Sequence, residues 1–266
     1  MKTVLLLVHD DAGQEARLQA ALDLTRSLDG HLTCVDVTPI PTFIGDIGGA
    51  AEAMVLAEER KVEAANRAEL QARLTQEAVA WDWIDTTGDF THCLMQEAGL
   101  SDIIVVNSKR DTWRDLEPRG VVASILAQAR CPVVAAPDQV RRFDASGPVL
   151  VAWDGSQAVA ATLRACVPLL KLASSVRLFT VEDGGKGASA EAAALYLSKH
   201  GIHAVVERVA AEGAKPDDLI LTACAAQGIG YCVMGAFGHG RLTEEIFGGV
   251  TRRMLDAAQL PLVMGR

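Results

Sequence analysis

Along this chain, short runs of branched apolar residues alternate with small polar breaks and with longer segments whose apolar positions recur every three to four residues. The runs predict strands at Val4–Val8, Leu32–Val37, Val79–Asp85, Ile103–Asn107 and Pro132–Ala136. They recur at Val149–Trp153, Val176–Glu182, His203–Val209, Tyr231–Gly235 and Pro261–Met264. Helical spacing falls between them, for instance over Gln14–Leu28, Ser156–Leu172 and Asp217–Ala226. An Ala/Glu-rich stretch from about Gly48 to Gln76 reads as one extended helix whose Glu, Arg and Lys residues form a solvated face. Strands that are apolar throughout and separated by helices are parallel strands covered on both faces. The predicted fold class is therefore α/β, with two tandem five-stranded, doubly wound parallel sheets.

The two halves repeat one another. "TVLLLVHDDAGQEARLQAALDLTRSL" from Thr3 and "PVLVAWDGSQAVAATLRACVPLLKL" from Pro148 are both a strand, a polar break and a helix. "RCPVVAAP" closes one half and "QLPLVMGR" the other, each a short strand led by proline. Residues 1–137 and 148–266 are thus the expected domains, and the polar segment 138–147, "DQVRRFDASG", is the linker.

The chain has 266 residues, half of them apolar, and a net charge of −9. An acidic chain without a basic run is a poor partner for nucleic acid or an anionic membrane. The opening apolar run is too short for a secretory signal, and no run approaches a membrane span. The six cysteines form no C-x-x-C pair, and read as buried, reduced thiols of a cytoplasmic protein. No spacing suggests a metal site.

Glycines carry the candidate chemistry. Gly235 lies at the carboxyl end of a predicted strand, where open parallel sheets collect ligands and where a glycine permits positive φ or close backbone approach. Gly248 and Gly249 lie where the next helix starts, and unpaired amides at a helix start favour an anion. The competing reading is that these glycines only make turns and close packing. No G-x-x-x-x-G-K-[ST] loop exists, and the run Gly238-His-Gly240-Arg-Leu-Thr243 lacks the third glycine of a dinucleotide fingerprint.

"VMGAFGHGRLTEEIFGGVTRRML" resembles the nucleotide loop of the universal stress protein family, whose pattern is G-x2-G-x9-G-[S/T]. Gly235, Gly238 and Gly248 match its glycines. Gly249 replaces the Ser/Thr, with Thr251 two residues on. "VLVAWDGS" is similar to the family's first strand, with Asp154 at its end. The resemblance is strong in the second half and weak in the first. It implies an adenine nucleotide alpha-hydrolase-like fold and ATP, with or without Mg, in the C-terminal half. Asp154 and Ala152 would meet the nucleoside, Val181 the adenine, and Met234 and Gly235 the ribose side. Gly238, Gly248, Gly249, Val250 and Thr251 would face the phosphates. The family pairs domains through the last strand, so Pro132–Ala136 and Pro261–Met264 are expected to pair inside one chain as a pseudo-dimer. A further homodimer through the extended helix stays open.

In the first half Asn107, Arg110 and Gly120 fall on the three glycine positions and His9 on that of Asp154, so a nucleotide site of the same kind is not expected there. Catalysis has no constellation behind it. His239, Glu244 and Glu245 lie in the loop, but no P-loop lysine accompanies them, so any ATPase would be slow. The readings carried forward are a stress-response regulatory protein that binds an adenine nucleotide, a nucleotide-free scaffold for an unknown protein partner, and a slow ATPase.

Overall fold

The computed structural model describes residues 1–40, 49–108, 120–182, 187–226, 228–236 and 248–266. In the first half, β1 (Thr3–Val8), α1 (Gln14–Ser27), β2 (His31–Pro39), α2 (Gly49–Leu74) and β3 (Ala80–Gly88) come first. They are followed by α3 (Phe90–Glu97), β4 (Ile103–Asn107), α4 (Val121–Gln128) and β5 (Val133–Ala136). The second half opens with β6 (Pro148–Ala152), α5 (Gln157–Ala165), α6 (Val167–Leu170), β7 (Ser175–Glu182), α7 (Ala190–Lys199) and β8 (Ala204–Ala210). It ends with α8 (Pro216–Ala226), β9 (Tyr231–Gly235), α9 (Gly249–Ala257) and β10 (Leu262–Gly265). Every predicted strand is present within a few residues. The continuous helix expected over Ser156–Leu172 is broken after Ala165, because Pro168 lacks an amide and clashes with the preceding turn; it stands instead in the first turn of α6.

The two five-stranded units join into one ten-stranded sheet, in the order β3-β2-β1-β4-β5-β10-β9-β6-β7-β8. The join is β5 against β10, with Leu262 opposite Ala135, Val263 opposite Val134 and Met264 opposite Val133. This pair is antiparallel, whereas the pairs within each half are parallel. The carboxyl ends of the two sets of strands therefore open at opposite rims of the sheet.

Alternation along the strands divides the core into two layers. Val4, Leu6 and Val8 pack with α1 and the C-terminal turns of α2, whereas Leu5 and Leu7 pack with α3 and α4. The segment 138–147 is packed rather than free. Phe143 is buried, its ring stacks on Tyr231 with centroids 4.8 Å apart, and its amide donates to Asp23 Oδ2 at 2.9 Å. The halves differ most in the helix after their second strand: α2 has 26 residues and α7 has 10.

Candidate functional site

At the rim of the second half, β6 ends at Ala152, which lies beside Phe179 of β7 and Met234 of β9. Asp154 follows, exposed, and its Oδ1 accepts from the Ser156 amide at 2.9 Å. Ser156 caps α5 by accepting from the Val159 amide. Gly155 turns the chain at φ +75°, and its carbonyl accepts from the Ala188 amide at 3.2 Å. A Cβ on Gly187 would stand 2.4 Å from that carbonyl, so the two glycines let the β6 loop and the approach to α7 touch. The Trp153 indole, which the sequence reading did not single out, locks the same contact by donating to the Ala188 carbonyl at 2.8 Å.

Gly235 ends β9 without positive φ. Its glycine is set by packing, since a Cβ there would stand 2.8 Å from the Val159 amide nitrogen and 3.2 Å from Ala158 Cβ. Gly248 and Gly249 are different: nothing described lies within 4 Å of a Cβ built on either. Gly248 precedes α9, and the first intrahelical bond runs from the Arg252 amide to the Gly248 carbonyl. The amides of Gly249, Val250 and Thr251 thus stand ahead of the first rung, at the positive end of the helix dipole. Val250 is half-buried, and Thr251, at 3% exposure, is buried along with Met254 and Leu255 of α9. Val181 lies in β7, opposite Val209 of β8, and Met234 is buried in β9. The structure brings Ala152, Asp154, Met234 and Gly235 together at strand ends. Gly238 lies outside the described residues, as do His239, Glu244 and Glu245.

The corresponding rim of the first half is filled by side chains. Strand register places His9 on Asp154, Gly13 on Ala158, Arg17 on Thr162 and Asn107 on Gly235. Arg17, only 2% exposed, donates through Nε to the Leu7 carbonyl at 3.0 Å and through Nη2 to the His9 carbonyl at 2.9 Å. Its Nη1 reaches both Asp11 carboxylate oxygens and Asn107 Oδ1. Asn107 Nδ2 in turn donates to Asp138 Oδ1 at 2.9 Å. From above, α2 inserts Glu63, whose Oε1 lies 2.5 Å from His9 Nδ1 and accepts from the Asp10 amide at 3.2 Å. Asn66 and Gln14 exchange hydrogen bonds of 2.6 and 2.9 Å beside it.

Glu58, Arg60, Lys61 and Glu69 of α2 are exposed as expected, but Glu63 and Arg67 depart from the expected solvated face. Glu63 is 1% exposed, and Arg67 bridges Asp36 of β2, at 3.1 Å, and Asp85 of β3, at 2.5 Å. Asp36 has no exposure, and its carboxyl is pushed up to about 6. Burial is the largest cause, and Glu63 and Asp85 add to it against the opposing Arg67. A further expectation from the sequence concerns the cysteines. The six cysteines are unpaired in disulfides, and all but Cys131 are buried. Arg253 lies 3.8 Å from Asp218 of α8.

Among solved structures, a universal stress protein from Archaeoglobus fulgidus DSM 4304 superposes with a TM-score of 0.77. The match covers 99% of this chain and 98% of that one at 18% identity. The fold is that of a tandem universal stress protein. A functionally unknown protein from Pseudomonas aeruginosa PAO1 superposes with a TM-score of 0.60, over all of this chain and 92% of that one, at 16% identity. No family model and no curated protein matches the chain by sequence. The likeness to tandem universal stress proteins thus lies in the fold, with β5 and β10 joining the halves as the sequence reading expected. Among the described residues, no helix is long and apolar enough to cross a membrane.

Proposed function

We propose that this chain is a universal-stress-type regulatory protein of the cytoplasm that binds ATP or a related adenine nucleotide at the rim of its C-terminal half. The observation that carries this reading is the contrast between the two rims. One offers the amides of Gly249, Val250 and Thr251, with no described atom within 4 Å of a Cβ built on Gly248 or Gly249. The other is closed by Arg17, Asn107 and the inserted Glu63. Phosphate oxygens suit amides at a helix start, and the exposed Asp154 carboxylate suits the hydroxyls of a ribose. With no side-chain cation among the proposed contacts, phosphate charge would be met by amides, by the helix dipole and by Mg if the nucleotide carries it. That arrangement supports holding a nucleotide rather than fast phosphoryl transfer.

Titration calorimetry of the whole chain with ATP, ADP and AMP tests the proposal. One saturable site that is lost in Asp154→Ala supports it. Absence of binding by all three, in protein freed of nucleotide, refutes it and leaves the scaffold reading. ATP turnover that survives Asp154→Ala combined with Gly248→Val would belong to a contaminant.

A further inference from the structure

The extension of α2 makes a second concavity that the nucleotide reading does not use. Aligned from their C-terminal ends, α7 has no counterpart for the turns of α2 before about residue 65, and those turns carry Arg60 and Glu63. Beneath them, at the carboxyl ends of β2 and β3, lies a cleft of about 540 Å³ lined by Thr38, Arg60, Arg67, Asp85, Thr86 and Thr87. That volume falls in the range of small-molecule sites, about 300–1,000 Å³.

The lining is chemically selective. Arg60 and Arg67 are seven residues apart, two helical turns, and so share one face of α2. Arg67 is held in place from behind by Asp36 and from the side by Asp85. Arg60 is exposed, and no described carboxylate pairs with it. Arg67 is already balanced by Asp36 and Asp85, so Arg60 is the guanidinium of the lining left to meet an anionic group. Thr38 and Thr87 are partners across the β2–β3 ladder, so their hydroxyls add donors and acceptors at one level of the cleft. Asp85 only accepts and repels a second anionic group. An occupant therefore has one anionic end and a hydroxyl-bearing remainder.

We propose that this cleft binds a small phosphorylated, hydroxylated metabolite, with its phosphate on Arg60 and Arg67 and its hydroxyls on the threonines and Asp85. A guanidinium fork matches phosphate oxygens, and a pre-oriented Arg67 loses little freedom on binding. The site lies in the opposite half from the nucleotide rim and does not depend on it.

The test is titration of the isotope-labelled whole chain by NMR with glucose 6-phosphate, inorganic phosphate and glucose as probes. The expected result is saturable shifts at Thr38, Thr86 and Thr87, with glucose 6-phosphate at least about tenfold tighter than either fragment. Arg60→Glu, at an exposed position, should weaken that binding at least about tenfold while leaving ATP binding unchanged. Thr87→Val should weaken it while leaving any binding of inorganic phosphate unchanged. Absence of saturation, shifts confined to Gly248–Thr251, or indifference to Arg60→Glu would each overturn the proposal. Equal affinity for inorganic phosphate and glucose 6-phosphate would overturn the assignment of a hydroxylated ligand.

Discussion

A Cβ placed on Gly13 would stand 1.7 Å from Nδ2 of Asn107. The two residues divide the space between the start of α1 and the end of β4, with the large one on the strand. In the second half the same contact has Gly235 on the strand and Ala158 on the helix. Asn107 is not free to yield, because its amide group is held by Arg17 and Asp138. Gly13→Ala should therefore lower stability by about 2 kcal/mol, the cost of displacing those buried hydrogen bonds. In an Asn107→Gly background the same change should cost less than half as much. A double-mutant cycle by denaturant unfolding measures the difference, and additivity would refute the coupling.

Gly235 and Gly249 should respond in opposite ways. Gly235→Ala pushes a Cβ against the backbone of α5 and should cost about 1–3 kcal/mol whether or not nucleotide is present. Gly249→Val meets no described atom within 4 Å of its Cβ, so stability should stay within about 0.5 kcal/mol while ATP affinity falls about tenfold or more. Melting curves and calorimetry on the same two proteins separate packing from binding. A Gly249→Val protein that melts normally and binds ATP as before would count against the nucleotide site.

Asp36 should give the fold a pH dependence of defined sign. Its carboxyl rises from 3.8 in the unfolded chain to about 6 in the folded protein, so the folded state holds the proton more tightly. This group favours folding most below pH 4, and its contribution is lost as pH rises through about 6. Asp36→Asn should remove that loss. The difference in melting temperature between Asp36→Asn and the native chain should thus be more positive at pH 7.5 than at pH 4. A difference that is constant with pH would show that Asp36 does not titrate as described.

Glu63 acts on the same cluster from above. Glu63→Ala leaves the Asp10 amide without its acceptor and empties the buried space beside His9, and should destabilise the protein by about 2 kcal/mol. Glu63→Gln removes the charge that helps raise Asp36, so the Asp36 midpoint should move down. Carboxylate-labelled NMR titration reads that midpoint directly. An unmoved midpoint would mean that Glu63 does not contribute to the raised value.

The strands were legible in the sequence because each is an unbroken apolar run between polar breaks, and the pairing of Val133–Ala136 with Leu262–Gly265 followed from the resemblance to a family that pairs domains through the last strand. The break in α5 was carried by Pro168, but the apolar spacing around it continues into α6 and hides the kink. The buried charges of α2 were not legible. Glu63 is one of many acidic residues on a polar helix, and only the tertiary contact with His9, far away in sequence, shows that it points inward. Gly235 shows a different limit: a glycine at a strand end reads the same whether a ligand or a neighbouring helix demands it, and here the helix does.

The antiparallel seam between β5 and β10 has a consequence for what a single molecule is. Two separate copies of one domain, joined the same way, would present two identical openings. Here the partners are covalently tied and have diverged, so each polypeptide always delivers two unlike rims, one filled by Arg17, Asn107 and Glu63 and one bearing the start of α9, facing away from each other in fixed one-to-one proportion. Substitutions that close the first opening are therefore never imposed on the second, and each is left to follow its own course.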